Sequence, residues 1–281
     1  MIKIFIFANC HGATYKKVIE SSAVTGVFEI EHVLSYENLD KFLEIRQKFL
    51  TCDILIIQPL EDHEHFKMEN IAPLLKKACV VVKVPYVRFE GFWLPDDTRK
   101  LEKFSGAAVV LFPKIQREDE ISDYLSGAKT DNGLIRDTFR KAINKLVALE
   151  KTGDIKFVGF FAANYKKRPL FRDAWHPTRI LFQYIASQVA NRVAIHYPGL
   201  INPVRPAINL SWTKEYGHFK PISDCCAKVL GLEYDLDSYF IYSRFEYLKV
   251  ILRHENHGEG KISDLKQLKT LFTDAAGQGK W

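Results

Sequence analysis

The sequence predicts an α/β protein whose mostly parallel sheet is covered by helices on both faces. Short apolar runs alternate with helix-length segments in the first third of the chain, which is the pattern of consecutive βα units. Most of these runs are rich in β-branched residues and apolar throughout, as expected for strands buried on both faces. The chain has 281 residues, of which 47% are apolar, so it can bury a sizeable core.

The first half of the chain contains four predicted strands and three predicted helices. The segment 37–50 carries apolar residues at helical spacing, and the segment 53–59 is a β-branched run that ends at Pro59. In chain order, the predicted elements are a strand at 2–7, a helix at 14–22, a strand at 27–34, a helix at 37–50, a strand at 53–59, a helix at 66–77 that contains Pro73, and a strand at 79–85.

The second half is predicted to be mainly helical. An aromatic loop is expected at 86–97, and a short strand or buried turn at 105–113. The predicted helices cover 115–125, 134–150, 178–193, 222–230, 236–253 and 262–272. Three prolines fall within 197–210, where the character of the chain changes. We therefore expect an α/β domain over 1–198 and a mainly helical extension over 199–281 that packs on it.

The composition bounds the location and the ligands of the protein. No apolar run approaches the roughly 20 residues that span a bilayer, and the apolar start of the chain is too short for a signal peptide. We therefore expect no transmembrane segment and a cytoplasmic protein. The net charge of +6 suits an anionic small molecule, whereas extended nucleic-acid binding usually shows a stronger basic bias.

The cysteines and histidines indicate neither a disulfide framework nor a metal site. The five cysteines include an adjacent pair and no C-x-x-C motif. His63 and His65 lie in the acidic, loop-like stretch EDHEH, which lacks a second ligand pair at a recognisable spacing. We therefore expect no metal.

Cys10 has a context that suggests chemistry. It lies at the predicted carboxyl end of the first strand, where ligands gather in open α/β sheets. The following helix would direct its N–H groups toward the turn, where they favour a thiolate and can hold a developing oxyanion. Gly12 allows an unusual backbone conformation, or a close approach of the backbone to another group, that other residues resist. The alternative is a small buried cysteine beside a structural glycine.

His176 is a candidate general base. Pro177 and Thr178 suit the first turn of a helix, which places His176 at or near its N-cap. Asp173 precedes it by three residues, a spacing that lets the carboxylate reach Nδ1 of the ring while Nε2 points elsewhere. The alternative is a surface arrangement in which Asp173 pairs with Arg172 or Arg179.

Together, the two motifs resemble the SGNH (GDSL-type) hydrolase fold, with a cysteine where that family has its serine. A narrower resemblance is to the WcbI-like polysaccharide-biosynthesis acetyltransferases, and it covers roughly residues 1–195. The matching motifs, in order, are Asn9-Cys10-His11-Gly12, Ile57-Gln58-Pro59, the aromatic stretch 89–95 and His176-Pro177-Thr178. The resemblance implies a three-layer α/β/α fold.

The resemblance also implies an activity, which is the transfer of an acetyl group from acetyl-coenzyme A to a sugar hydroxyl in capsular or surface polysaccharide biosynthesis. Cys10 is then the acetyl acceptor, His176 the base and Asp173 its orienter, or His176 deprotonates the sugar directly. Candidate oxyanion or substrate contacts are Asn9, His11, Gly12 and Gln58. His11 itself is expected to be a turn residue or a substrate contact rather than the base.

Coenzyme A carries several phosphates, so basic side chains are expected at its site. Candidates for phosphate contact are Arg88, Lys166, Lys167, Arg168 and Arg172. Aromatic side chains that could stack on adenine or a sugar are Tyr86, Phe89, Phe92 and Trp93. The alternative for the basic run is a solvated loop.

Two other functions stay open at this point. One is a cysteine-dependent esterase or deacetylase on the same scaffold, and the other is a non-enzymatic carbohydrate-binding assembly protein. The acceptor sugar and the oligomeric state are not readable from the sequence.

Overall fold

The structure is a computed structural model. It describes residues 1–60, 62–94, 98–100, 111–113, 117–127, 130–203, 220–237, 243–246 and 248–249. The predicted helix at 262–272 and much of the one at 236–253 lie outside these residues, as does the end of the aromatic loop at 95–97.

The first third of the chain folds around a parallel four-stranded sheet, which confirms the predicted fold class. Its strands are β1 (Ile2–Ala8), β2 (Phe28–Leu34), β3 (Ile54–Ile57) and β4 (Val80–Lys83), in the order β2-β1-β3-β4. The chain runs outward from β1 to β2 and then returns to the other side of β1. The carboxyl ends of β1 and β3 therefore flank the topological switch point, where ligands bind in such sheets.

One face of this sheet carries an aromatic core. Phe5 and Phe7 of β1 lie in one cluster with Leu55 and Ile57 of β3. The helix α2 (Phe42–Thr51) contributes Ile45 and Phe49 to the same cluster. Because successive side chains of a strand point to opposite faces, the buried Ile4 and Ile6 belong to the other face.

Two helices cover that other face. They are α1 (Gly12–Ser22) and α7 (Arg179–His196), which pack against each other. The helix α1 also contacts β1 and β2, and α7 contacts β4, while neither contributes to the aromatic core. The sheet is thus enclosed between two helical layers, as the predicted α/β/α arrangement requires.

Two predicted helices are shorter than expected. The segment 66–77 is not one helix: α3 covers Met68–Ile71, between 3-10 turns at Glu64–Phe66 and Ala72–Leu74. Pro73 explains the break, because it has no N–H to donate and its ring clashes with the preceding turn. The helix predicted from residue 37 begins at Phe42, since Ser35–Glu37 forms a 3-10 turn.

The remaining elements follow the predicted order, with two additions. Neither the short helix α6 (Val158–Asn164) nor the strand at Thr98–Lys100 was expected. The other elements are a two-stranded antiparallel pair, β5 (Thr98–Lys100) and β6 (Leu111–Pro113), and the helices α4 (Asp119–Ser126), α5 (Asn132–Lys151) and α8 (Asp224–Leu230).

The chain divides into two compact units that interleave along the sequence. Unit 1 comprises 1–87, 146–160 and 179–210, and unit 2 comprises 88–145, 161–178 and 211–281. The predicted boundary at 198/199 stays a prediction, because much of the chain beyond it is not described. None of the described helices combines the length and apolarity needed to cross a membrane.

Candidate active site

The switch point of unit 1 is occupied by Asn9, Cys10 and Gln58. The Asn9 N–H donates to Oε1 of Gln58 at 2.7 Å, and the Gln58 N–H donates to the Phe7 carbonyl at 3.1 Å. This contact orients the Gln58 amide, since its oxygen must face the donor. Gln58 is 2% exposed, and its Nε2 is buried without a hydrogen-bond partner among the described residues. Gln58 therefore presents a buried amide donor next to the Cys10 turn.

The Cys10 turn (residues 9–12) leaves the Cys10 side chain exposed. Backbone N–H groups after Cys10 make hydrogen bonds within the turn. The His11 N–H donates to Asn9 Oδ1 at 3.0 Å, and the Gly12 N–H donates to the Asn9 carbonyl at 2.9 Å. The Ala13 N–H donates to the Cys10 carbonyl at 3.3 Å. These N–H groups hold the turn together, so we no longer expect the start of α1 to supply oxyanion donors. Gln58 is the better candidate.

His11 is part of the core of unit 1. Its side chain is 1% exposed and lies edge-on to Phe182, with 4.3 Å between ring centroids. The ring of Tyr86 is 6.3 Å away. His11 was expected to be a turn residue or a substrate contact: it lies in the Cys10 turn, and the burial of its ring counts against a substrate contact.

His32 is a contact of the Cys10 turn that the sequence did not reveal. It lies on β2, and its Nε2 is 3.1 Å from the Asn9 carbonyl oxygen and 3.4 Å from that of Ala8. Burial lowers the pKa of His32, although the two carbonyl contacts raise it in part, and Lys16 lowers it further. The ring is therefore neutral near pH 7. No local motif links residue 32 to residue 9, because the strand register brings them together.

In unit 2, Asp173 and His176 form a pair of their own. Nδ1 of His176 lies 2.9 Å from both carboxylate oxygens of Asp173. Oδ1 of Asp173 also accepts the N–H groups of Trp175 at 2.8 Å and His176 at 2.9 Å. Asp173 as a whole is 6% exposed. The predicted contact between these two side chains is thus present in the structure.

The carboxylate fixes the protonation of the His176 ring. Burial by itself raises the pKa of Asp173, but hydrogen bonds from His176 and Trp175, with the charge of Arg172, hold that pKa below its ordinary value. An ionised carboxylate can only accept hydrogen bonds, so Nδ1 carries the proton. In the neutral ring, Nε2 is then the basic nitrogen.

A hairpin-like loop holds this pair. Phe171 and Pro177 form an antiparallel bridge, and the Arg172 N–H donates to the His176 carbonyl at 2.9 Å. The buried Thr178 hydroxyl donates to the Pro169 carbonyl at 3.0 Å. The residues between these contacts form the tip of the loop, which ends directly before α7. Asp173 and His176 therefore rest on a braced loop rather than an open one.

The aromatic loop supports the same hairpin through its backbone. The Phe89 N–H donates to the Ala174 carbonyl at 2.8 Å. The Phe89 ring is 1% exposed and packs against Phe161 and Phe171. We therefore no longer expect Phe89 to stack on a ligand, because its ring belongs to the core. Phe92 and Trp93, which were also predicted to stack on a ligand, are buried, so we no longer expect their rings to do so.

The predicted phosphate-binding residues all lie in unit 2. Lys166 and Lys167 are exposed, and Arg168 and Arg172 are half-buried. The Arg88 guanidinium lies 4.9 Å from the Trp175 ring centroid and 3.4 Å from the Glu90 carboxylate.

Lys220 is a further cation that sequence reasoning missed. It is 4% exposed, its N–H donates to the Arg172 carbonyl at 2.7 Å, and its ammonium lies 5.5 Å from the Trp93 ring centroid. Within the described part of the chain, no cluster of three or more His, Cys, Asp or Glu side chains could hold a metal ion.

The family model of WcbI, a polysaccharide biosynthesis enzyme, matches residues 3–197. The chain belongs to the WcbI family. The predicted resemblance is thereby confirmed, and the matched segment contains the Cys10 turn, Gln58 and the Asp173–His176 pair.

A solved WcbI structure shows the same fold. Its TM-score to this chain is 0.55 at 17% sequence identity, and the match covers 100% of this chain and 96% of that one. That structure is described as the native protein without a disulfide bond between coenzyme A and a cysteine. No curated protein matches this WcbI-family chain.

Proposed function

We propose that this chain is an O-acetyltransferase that moves an acetyl group from acetyl-coenzyme A to a sugar hydroxyl in polysaccharide biosynthesis. The Asp173–His176 pair carries the proposal, because a buried carboxylate 2.9 Å from Nδ1 makes Nε2 a general base. Membership of a family of polysaccharide biosynthesis enzymes supports a carbohydrate acceptor.

Coenzyme A is proposed as the acyl carrier on two grounds. The description of the solved WcbI structure names coenzyme A and a cysteine as the partners of a disulfide bond that this form of that protein lacks, and the basic side chains of unit 2 suit the phosphates of coenzyme A. Arg168 adds a specific feature, since its Nε is buried without a hydrogen-bond partner among the described residues. We assign phosphate contact to Lys166, Lys167, Arg168 and Arg172, with Arg88 as a further candidate.

Two routes are compatible with these residues. In the first, His176 Nε2 takes the proton of the Cys10 thiol, the sulfur attacks the thioester carbonyl, and the coenzyme A thiolate leaves with that proton. The sugar oxygen then attacks the Cys10 thioester and yields its proton to His176, and the Cys10 thiolate leaves and recovers that proton. In the second, His176 deprotonates the sugar hydroxyl, whose oxygen attacks the carbonyl of acetyl-coenzyme A directly, and the coenzyme A thiolate leaves with the proton held by His176. In either route, Gln58 Nε2 is the proposed donor to the developing oxyanion.

Intact-protein mass spectrometry after incubation with acetyl-coenzyme A tests the proposal. The first route predicts an adduct of about 42 Da, one acetyl group, on the wild type and on Cys225→Ser but not on Cys10→Ser. The second route predicts no adduct, with coenzyme A still released when an acceptor sugar is added. No adduct and no release with any sugar acceptor would overturn the transferase assignment.

Thermal unfolding separates the transferase from the alternatives. A coenzyme A-dependent transferase should gain melting temperature with coenzyme A by mass action, whereas a simple esterase or deacetylase should not. A carbohydrate-binding assembly protein should keep its function in Cys10→Ala.

A further inference from the structure

The residue before Cys10 is held by both strands that neighbour β1. On the β3 side, Gln58 Oε1 accepts the Asn9 N–H at 2.7 Å. On the β2 side, His32 Nε2 lies 3.1 Å from the Asn9 carbonyl oxygen. The peptide groups of Asn9 are therefore clamped from opposite sides, directly before the exposed cysteine.

The direction of the His32 contact follows from its partners. Both the Asn9 and the Ala8 contacts of Nε2 are carbonyl oxygens, which can only accept hydrogen bonds. Nε2 must therefore carry a proton and donate it. His32 acts on the turn as a directed donor, and not only as a space-filling ring.

Gly12 and His32 are also sterically coupled. A Cβ atom built on Gly12 would lie 2.3 Å from Nε2 of His32 and 2.4 Å from its Cδ2. The φ angle of Gly12 is not positive, so an alanine would be compatible with the backbone conformation itself. The glycine is thus required by the His32 ring, which occupies the space of its missing side chain.

We propose that His32 is a positioning residue for Cys10: its Nε2–H fixes the Asn9 carbonyl, and its ring fixes the start of α1 against Gly12. The proposal rests on the proposed function insofar as Cys10 is the reacting residue. His32 does not touch the reacting atoms, so its effect passes through the geometry of the Cys10 turn.

Steady-state kinetics of coenzyme A release test the proposal in the full chain. In His32→Ala, kcat should fall about five- to tenfold, the worth of one lost hydrogen bond, with KM for acetyl-coenzyme A changed by less than about twofold. His32→Gln should recover most of kcat, because its amide nitrogen can still donate. His63→Ala, at an exposed histidine, is the matched control and should behave as the wild type.

A double-mutant cycle tests the coupling with Gly12. Gly12→Ala alone should lower kcat by about fivefold, because the ring must leave the Asn9 carbonyl. In the His32→Ala background, the same substitution should cost less than about twofold. Fully additive effects would contradict the proposal, as would a His32→Gln enzyme as slow as His32→Ala with an unchanged melting temperature.

The rate at which iodoacetamide alkylates Cys10 distinguishes the positioning role of His32 from the proposed acetyl transfer. The rate, read from the Cys10 peptide by mass spectrometry, should fall in His32→Ala and be restored in His32→Gln. If the wild type transfers no acetyl group but the alkylation rates still follow this order, the proposed function fails and the positioning role stands. Equal alkylation rates in the wild type, His32→Ala and His63→Ala would overturn the positioning role.

Discussion

At the scale of single residues, the buried Asp173 carboxylate decides what the His176 ring can do. It accepts Nδ1–H at 2.9 Å and two backbone N–H groups of the same loop. The carboxylate therefore both shapes the loop and selects the tautomer. These two effects can be measured separately, one through turnover and one through stability.

Replacing Asp173 by Asn should lower kcat by about 100-fold or more, because the amide no longer requires Nδ1 to be the protonated nitrogen. The measurement is coenzyme A release with an acceptor sugar, with the melting temperature followed in parallel. Asp62→Asn, at an exposed carboxylate, is the control. A folded Asp173→Asn enzyme with wild-type turnover would rule out the orienting role.

The stability of the protein should depend on the ionisation of Asp173. Its pKa is lowered in the folded state, so the unfolded state binds more protons as the pH falls. The stabilisation is complete above the ordinary pKa and is lost as the pH falls through the folded one. The free energy of unfolding in urea should therefore drop more steeply between about pH 5 and pH 2 in the wild type than in Asp173→Asn. Parallel curves would contradict this.

The sequence revealed the Asp173–His176 contact but not that of His32. An Asp-x-x-His spacing before a helix is local, so few conformations satisfy it. The His32–Asn9 contact depends on which strand lies beside β1 and in what register. Such long-range pairing is not encoded in any short motif.

At the scale of elements, the loop before α7 is stabilised by contacts at its base. Thr178 is fully buried, its N–H donates to the Leu170 carbonyl at 2.9 Å, and its hydroxyl donates to Pro169. The loop thus enters α7 from a closed hairpin, and the hydroxyl is the part that a near-isosteric substitution can remove.

Thr178→Val should lower the free energy of unfolding by about 1 kcal/mol, the net worth of one hydrogen bond, and should lower turnover as well. Urea denaturation and coenzyme A release measure the two effects. Thr51→Val is the matched control, since the Thr51 hydroxyl makes its helix contact at an exposed position. Identical losses in both variants would show that burial of Thr178 is unimportant.

Strand prediction succeeds where the apolar run is continuous and short. The strands β1, β3 and β4 were predicted because their apolar runs are continuous. Pro73 was underestimated, since amphipathic spacing alone cannot weigh a missing N–H against a helical pattern. The helix α6 is too short to show a helical apolar pattern in the sequence, and a polar run follows it directly.

At the scale of the whole molecule, residues 220–226 stabilise the earlier parts of unit 2 by hydrogen bonds. Lys220 donates to the Arg172 carbonyl, its own carbonyl accepts Trp93 Nε1–H at 3.1 Å, and the Cys226 thiol donates to the Phe92 carbonyl at 3.1 Å. Both aromatic side chains are at most 5% exposed. The predicted domain 1–198 would lack these C-terminal partners.

A chain truncated after residue 198 should therefore melt about 10 °C below the full chain, because exposing Phe92 and Trp93 costs several kcal/mol. It should also bind more of a hydrophobic dye such as ANS. Calorimetry of both chains at equal concentration measures the difference. An unchanged melting temperature would instead support an independent domain that ends at 198.

Because the two units interleave along the sequence, chimaeras of family members cannot be made by joining two continuous segments. Within residues 1–203, the chain passes between the units four times, at 87/88, 145/146, 160/161 and 178/179. Two of these joints fall inside α5 and α6, where one inserted residue rotates all later side chains by about 100°. Exchanging a whole unit would therefore disturb helix register twice. Exchanging single loops that lie within one unit, such as the hairpin before α7, avoids these joints.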